Sequence, residues 1–270
     1  MRLTRHATPV RPRWALNGNW LPVNFNLSLI MELPAASLFP VLAAMDTGCP
    51  ADGPLLAPLD SDQEVWGAGV TYQRSREARG VESQDASLYD RVYAAERPQV
   101  FFKAAGWRVV GSGQPIGVRA DSAWNVPEPE LSLLANARGE IIGFTAGNDV
   151  TSRSIEGENP LYQPQGKMFT GSCALGAGIR LCQPSDMVDL PISLEIFRDG
   201  HEFFGGESST ASMKRSLSEL TGCLFRALTF PNGVFLMTGT CIVPPDNFSL
   251  QPGDWVRVRV GAETLENTTI

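Results

Sequence analysis

In the stretch "VPEPELSLL", Glu128 and Glu130 flank Pro129 just ahead of an apolar run. That run reads as a strand, in which alternate side chains share a face, so the two carboxylates point one way and the proline the other. At about 5 Å and an effective dielectric of about 20 they repel by roughly 3 kcal/mol. A shared proton, a nearby cation, a bound metal or plain exposure to water would each offset that repulsion. A third acid bears on the choice. Asn148 and Asp149 follow the run "EIIGFTAG", where turn chemistry alone would justify both. If the two strands pair, Asp149 joins Glu128 and Glu130, and three acids at one point call for a divalent cation. Lys167 adds a positive charge that either balances the acids or acts on a substrate.

Other chemistries fit the chain less well. It has two histidines, His6 in an N-terminal arm and His201 beside a turn, which leaves Ser-His-Asp or Cys-His catalysis and His-ligated metals poorly supported. Its five cysteines lack CxxC spacing and read as small buried apolar residues in a reducing compartment. "GSGQPIG" falls short of a phosphate loop. A metal here must therefore take oxygen ligands, which points to Mg²⁺, with Mn²⁺ or Ca²⁺ as alternatives. A formal charge of -7 with no basic cluster argues against nucleic acid as a partner.

The elements that must carry these residues follow from composition and pattern. With 270 residues, 43% hydrophobic and 19% charged, the chain can bury the core of one large domain and a small companion. Its 26 glycines and 20 prolines favour turns and short strands. Arg2, Arg5, His6, Arg11 and Arg13 form a basic arm without a signal peptide's apolar segment. Residues 28–45 are interrupted by Glu32, Pro34 and Pro40 and make no membrane span, so the cytoplasm is the expected location. Residues 1–63 read as a small α/β domain, with strand pieces "RWAL" and "WLPVNF", closing in the linker "CPADGPLLAPLDSDQ".

Residues 64–270 read as the main domain. "EVWGAGVTY" opens it as a strand, and a helix capped at Ser83 or Asp85 runs to Pro98. The strands "VFFKAAGW", "ELSLLANA" and "EIIGFTAG" follow, then a hairpin, "ISLEIFRDGHEFF", turning at Asp199-Gly200. Leu217, Leu220, Leu224 and Leu228 predict one amphipathic helix over residues 212–228. "GVFLMTG" and "WVRVRV" close the chain. The class is α+β and β-rich.

The run from "WNVPEPE" through "GFTAGNDVTSRSIEGENPLYQPQGK" to "GSCALG" resembles the fumarylacetoacetate hydrolase family. "SRSIEGENPLY" narrows the likeness to its 2-keto-3-deoxy sugar-acid dehydratases, and the match extends from "VWGAGVTY" through "MTGTCIVPP" to the C-terminus. The resemblance implies mixed sheets rolled into a distorted β-barrel with peripheral helices. It implies Mg²⁺ at Glu128, Glu130 and Asp149, an active-site lysine at Lys167, and at Thr240 a threonine that closes over substrate. Ser152, Arg153 and Lys103 stand as candidate substrate contacts. The implied reaction takes a 2-keto-3-deoxy pentonate to a dioxo acid such as 2,5-dioxopentanoate by enolate-stabilised β-elimination. The implied partners are a small 2-oxo acid and further copies of the chain, as a homodimer or homotetramer. The helix before Pro98 reads as a lid.

Two departures qualify this. Neither histidine stands in an HxxE setting, which argues against carbon–carbon hydrolysis. Gln99, in "ERPQVFFK", stands where the dehydratase branch carries a glutamate resembling a general acid/base, and an amide cannot titrate. Glu82 or Glu96 would have to substitute. The alternatives are other family chemistry (isomerase, oxaloacetate decarboxylase or acylpyruvase) or a silent 2-oxo acid binder.

Overall fold

The computed structural model describes residues 1–82 and 86–270, apart from the side chains of Arg79, Val81, Glu82 and Ala86. Residues 1–63 form β1 (Arg2–His6), β2 (Arg13–Leu16), β3 (Asn19–Trp20), α1 (Ser28–Met31), α2 (Ala35–Ala44) and β4 (Leu55–Leu56). "WLPVNF" is a strand only as far as Trp20, because Pro22 cannot donate to a ladder and the chain turns there, Phe25 N bonding Pro22 O at 2.8 Å. Next come β5 (Glu64–Gly69), α3 (Gln73–Glu82), α4 (Ala86–Ala94), β6 (Gln99–Ala105), β7 (Asn125–Val126), β8 (Pro129–Ala135) and β9 (Ile141–Asp149). After these lie β10 (Thr151–Ser152), α5 (Arg153–Glu158), α6 (Gln163–Lys167), β11 (Cys173–Leu175) and β12 (Ile179–Leu181). The chain ends with β13 (Pro191–Arg198), β14 (His201–Ser209), α7 (Leu217–Phe225), β15 (Val234–Thr240), β16 (Trp255–Val260) and β17 (Glu263–Thr268).

The larger sheet runs β3-β2-β1-β12-β9-β8-β15-β5-β6, with β4 on β1 and β11 on β9. Its path has two ends, so the rolled sheet is open rather than a closed barrel among the described residues. The pairing of β1 with β12 carries the N-terminal strands into this same sheet. A second sheet runs β14-β13-β16-β17. The Asp199-Gly200 turn joins β13 to β14, both residues at positive φ (53° and 79°), as a two-residue primed turn requires.

The core explains the patterns. Every residue of β8 and β9 is buried, because the large sheet is covered on both faces. Leu131, Leu133 and Phe144 pack with α7 and the second sheet, while Leu134 and Ile142 pack with Leu21, Leu38 and Leu42 from the N-terminal region. In β16, Val256, Val258 and Val260 turn inward, and Arg257 and Arg259 turn outward to Glu195.

The predicted 212–228 helix is shorter than its leucine pattern suggests. Residues 210–212 form a 3₁₀ turn, Ser216 caps α7 by accepting from Glu219 N at 3.1 Å, and Leu228 lies beyond the helix with 41% exposure. α3 was not anticipated, since "QRSREARGVE" carries no apolar stripe. The expected cap at Ser83 or Asp85 lies outside the described residues. No described helix is long and apolar enough to cross a membrane.

Asp60 ties the N-terminal region to the main sheet's end. Its carboxylate accepts from Trp14 Nε1 at 3.1 Å and Leu27 N at 2.6 Å, and stands 3.7 Å from Arg5 Nε. Replacing it by alanine strands a backbone donor and an indole N–H. Asp60→Ala should therefore cost about 1–3 kcal/mol in urea unfolding, and an unchanged midpoint would show that water replaces these bonds.

Candidate active site

β8 and β9 pair with Pro129 opposite Asn148 and Glu130 opposite Gly147. The first residues of one strand therefore lie beside the last of the other. Glu128 N donates to Asn148 Oδ1 and Asp149 N to Glu128 O, each at 3.0 Å. One carboxylate oxygen from each of Glu128, Glu130 and Asp149 lies within 4.8 Å of the other two, and all three residues are buried. Burial removes water exposure as the answer to their repulsion.

Three cations are built around them instead. Lys167, at the end of α6 where a helix favours positive charge, donates to Glu128 Oε2 and Asp149 Oδ2, each at 2.9 Å, and to Thr151 Oγ1 at 2.8 Å. Burial works against its ammonium, but Asp149, Glu128 and Glu156 outweigh that and raise its pKa. Lys103, on β6 and 1% exposed, reaches Asp149 Oδ1 at 2.5 Å and bonds the carbonyls of Val150 and Lys167. Arg153, opening α5, places Nη1 2.9 Å from both Glu128 Oε1 and Glu156 Oε2.

Glu130 is held differently. Its Oε2 accepts from Gly239 N at 2.6 Å, and Gly239 sits at φ +96° with no room for a Cβ beside Thr71. Burial, then Asp149 and Glu128, push the Glu130 carboxyl well above its ordinary value, against the opposing pull of Lys167 and Gly239 N. With Glu156 included, four carboxylates among the described residues face Lys103, Arg153 and Lys167, an excess of one negative charge when all are ionised. The donors are all carboxylate oxygens, converging and underneutralised, so the residues present fit a hard divalent cation.

The trio opens onto a cavity of about 210 Å³. Lys167, Thr240, Gln99 and Glu156 line it with the three acids, and α4 contributes Leu88, Tyr89 and Val92 from across the space. Thr240 reaches this wall because β15 sets it opposite Glu130. Gln99 faces Gly69 in the β5–β6 register, and a Cβ on Gly69 would stand 2.3 Å from Gln99 Oε1. The glycine is what lets this amide lie against the wall.

Not every expected residue is there. Lys103, Ser152 and Arg153 are not on the cavity wall. Lys103 and Arg153 stand behind the carboxylates, and Ser152 Oγ is 2.7 Å from Ser122 Oγ. Glu96 is exposed and its carbonyl accepts from Arg215, while the side chain of Glu82 lies outside the described residues. Glu156 escaped sequence reading. The only sequence hint is Arg153 three residues earlier, an ion-pair spacing that counts only once the stretch is known to be helical.

Fold and site together define an α+β protein with three buried carboxylates, of a chemistry that fits a divalent cation, converging at the edge of a small cavity. Residues 64–270 match the fumarylacetoacetate (FAA) hydrolase C-terminal family, and the chain belongs to that family. It is 47% identical over 215 residues to a probable 2-keto-3-deoxyxylonate dehydratase of Haloferax volcanii, covering 78% of this chain and 73% of the relative. To a 2-dehydro-3-deoxy-D-arabinonate dehydratase of Saccharolobus solfataricus it is 40% identical over 208 residues, 75% of this chain and 70% of the relative. Among solved structures, a 2-keto-3-deoxy-D-arabinonate dehydratase complexed with magnesium and 2,5-dioxopentanoate superposes with a TM-score of 0.83 at 32% identity, covering 100% of this chain and 98% of the other.

The electrostatics make a directional prediction. A carboxyl whose folded pKa lies above its ordinary 4.5 contributes stability that is complete below the unfolded pKa and lost as pH rises through the folded one. In EDTA, wild type should therefore lose stability relative to Glu130→Gln as pH rises from 5 to 8. Adding Mg²⁺ should stabilise wild type and not the variant. An unfolding difference constant across this pH range would contradict the assignment.

Proposed function

We propose that the protein is a Mg²⁺-dependent hydro-lyase that removes water from a 2-keto-3-deoxy sugar acid, a pentonate by preference, to give a dioxo acid such as 2,5-dioxopentanoate. The observation that carries this reading is the buried Glu128, Glu130 and Asp149 trio opening onto the cavity beside Lys167. The 47% and 40% identical dehydratases support the substrate class, as does the relative's complex with magnesium and 2,5-dioxopentanoate. When bound by the trio, Mg²⁺ supplies Lewis acidity toward the oxygens of a 2-oxo carboxylate, a role open also to Mn²⁺ or Ca²⁺.

The chain's own groups do the rest. Lys167 fixes the spacing of Glu128 and Asp149 and presents positive charge to an anionic substrate. Lys103 and Arg153 act on the opposite side of the same carboxylates, holding them from behind. Thr240 and Gln99 offer a hydroxyl and an amide to substrate hydroxyls. α4 closes the cavity with Leu88 and Val92 and excludes water. Its C-terminal carbonyls are gripped by Lys214, at Tyr93 O, and Arg215, at Ala95 O, and Arg76 of α3 stands 3.5 Å from Asp90 on the same helix.

Gln99 favours a second reading, a 2-oxo acid binder without turnover, because the wall carries an amide where a titrating group was expected. One experiment separates the two. Incubation of purified protein with 2-keto-3-deoxy pentonates and Mg²⁺ should release water and form the dioxo acid by NMR, and EDTA should stop it. Calorimetric binding of pyruvate or oxalate with Mg²⁺, but no loss of water from any pentonate or hexonate tried, would favour the binder.

A further inference from the structure

We infer that Glu156 is the proton-transferring catalytic residue of this cavity, taking the part that Gln99 cannot play. The inference rests on the dehydratase reading above. Besides the metal-binding trio, Glu156 is the one carboxylate among the described residues lining the cavity. It is 8% exposed, and it is held in place from two sides. Arg153 Nη1 donates to its Oε2 at 2.9 Å, and Gly166 lies so close that a Cβ there would stand 3.2 Å from Glu156 Cβ. Gly166 immediately precedes Lys167, so the packing of α5 on α6 sets Glu156 and Lys167 on one wall.

Among the described residues, Lys167, Thr240 and Gln99 on the same wall are occupied or unsuited. Lys167 donates to Glu128, Asp149 and Thr151, and an ammonium has no lone pair to receive a proton. The Thr240 hydroxyl donates to Ile242 O at 3.1 Å. Gln99 is a neutral amide, and the trio's oxygens face one another. Arg153 links Glu128 to Glu156 through a single nitrogen, so the cation site and the proton acceptor are set at a fixed distance.

The step balances without an added reagent. Glu156 takes a proton from C3 of the 2-oxo acid, and the C–H electron pair enters a C2–C3 double bond as the C2 oxygen takes the negative charge. The C2 carbonyl then re-forms, C3=C4 forms, and the C4–O bond breaks with its electron pair passing to oxygen. The proton on Glu156 goes to that leaving hydroxide, which departs as water. Moving one hydrogen from C5 to C3 and the proton of the C5 hydroxyl to C4 converts the resulting hydroxy-enone into the dioxo acid, with no change in composition.

Deuterium uptake from D₂O into C3 of pyruvate and of the pentonate, followed by NMR, reads the proton step directly. Glu156→Gln should lower both exchange and dehydration about 10²–10⁴-fold, with Mg²⁺ affinity by calorimetry kept within about threefold. Glu156→Asp, which keeps the carboxylate, should recover at least tenfold over Gln. Exchange by the Gln variant at the wild-type rate overturns the inference, and so does a loss of exchange that merely follows lost Mg²⁺ affinity. Wild type that exchanges pyruvate but dehydrates nothing defeats the dehydratase reading while leaving the Glu156 comparison readable. Wild type that does neither defeats both.

Discussion

Everything in this protein's centre is arranged around the cost of placing carboxylates out of water at the ends of two fully buried strands. Isolated, such charges would cost several kcal/mol each to desolvate. The chain answers with cations that are themselves buried and that come from separate segments. Lys103 arrives on β6, Arg153 on α5 and Lys167 on α6, and each touches an acid from a different side. Among the described residues compensation stops one charge short, and Glu130, whose carboxylate accepts from the Gly239 N–H, shows that deficit as a raised pKa.

Such a centre needs a rigid frame, and the sheet supplies it. β8 lies between β9 and β15, so Glu130 is addressed from both neighbours, by Gly147 on one side and Thr240 on the other. Apolar packing on both faces of the sheet fixes the register, since a slip by one residue would turn every side chain to the wrong face. The site therefore sits where pairing ends and the backbone is free to turn, at the junctions into β10, α5 and the loop after β15.

Much of this is legible in the amino-acid sequence. The i, i+2 spacing of Glu128 and Glu130 is a local property, and strand geometry converts it directly into a shared face. Asp149 needed only the pairing of neighbouring strands. The leucines of α7 announced a helix but overran its end, because Leu228 keeps the period after the backbone has left the helix. Lys103 and Arg153 read as substrate contacts, yet which side of the carboxylates they occupy is set by the packing of β6 and α5, which no spacing encodes. Glu156 was invisible for the same reason. A glutamate in a polar stretch looks solvated until α5 and α6 are folded against each other. α3 left no trace, as helices without an apolar stripe have nothing to betray them.

The cavity's two walls come from different kinds of chain. The charged wall is assembled from strand ends locked into the core and from two short helices bound to them by ion pairs. The opposing wall is α4, a single short helix gripped at its final carbonyls. Changes at Leu88 or Val92 alter the shape of the space without entering the charge network, while changes in the network alter chemistry without reshaping the far side. Fit and reactivity are thus separable quantities in this fold, and selection can tune what the cavity admits at little risk to what it does.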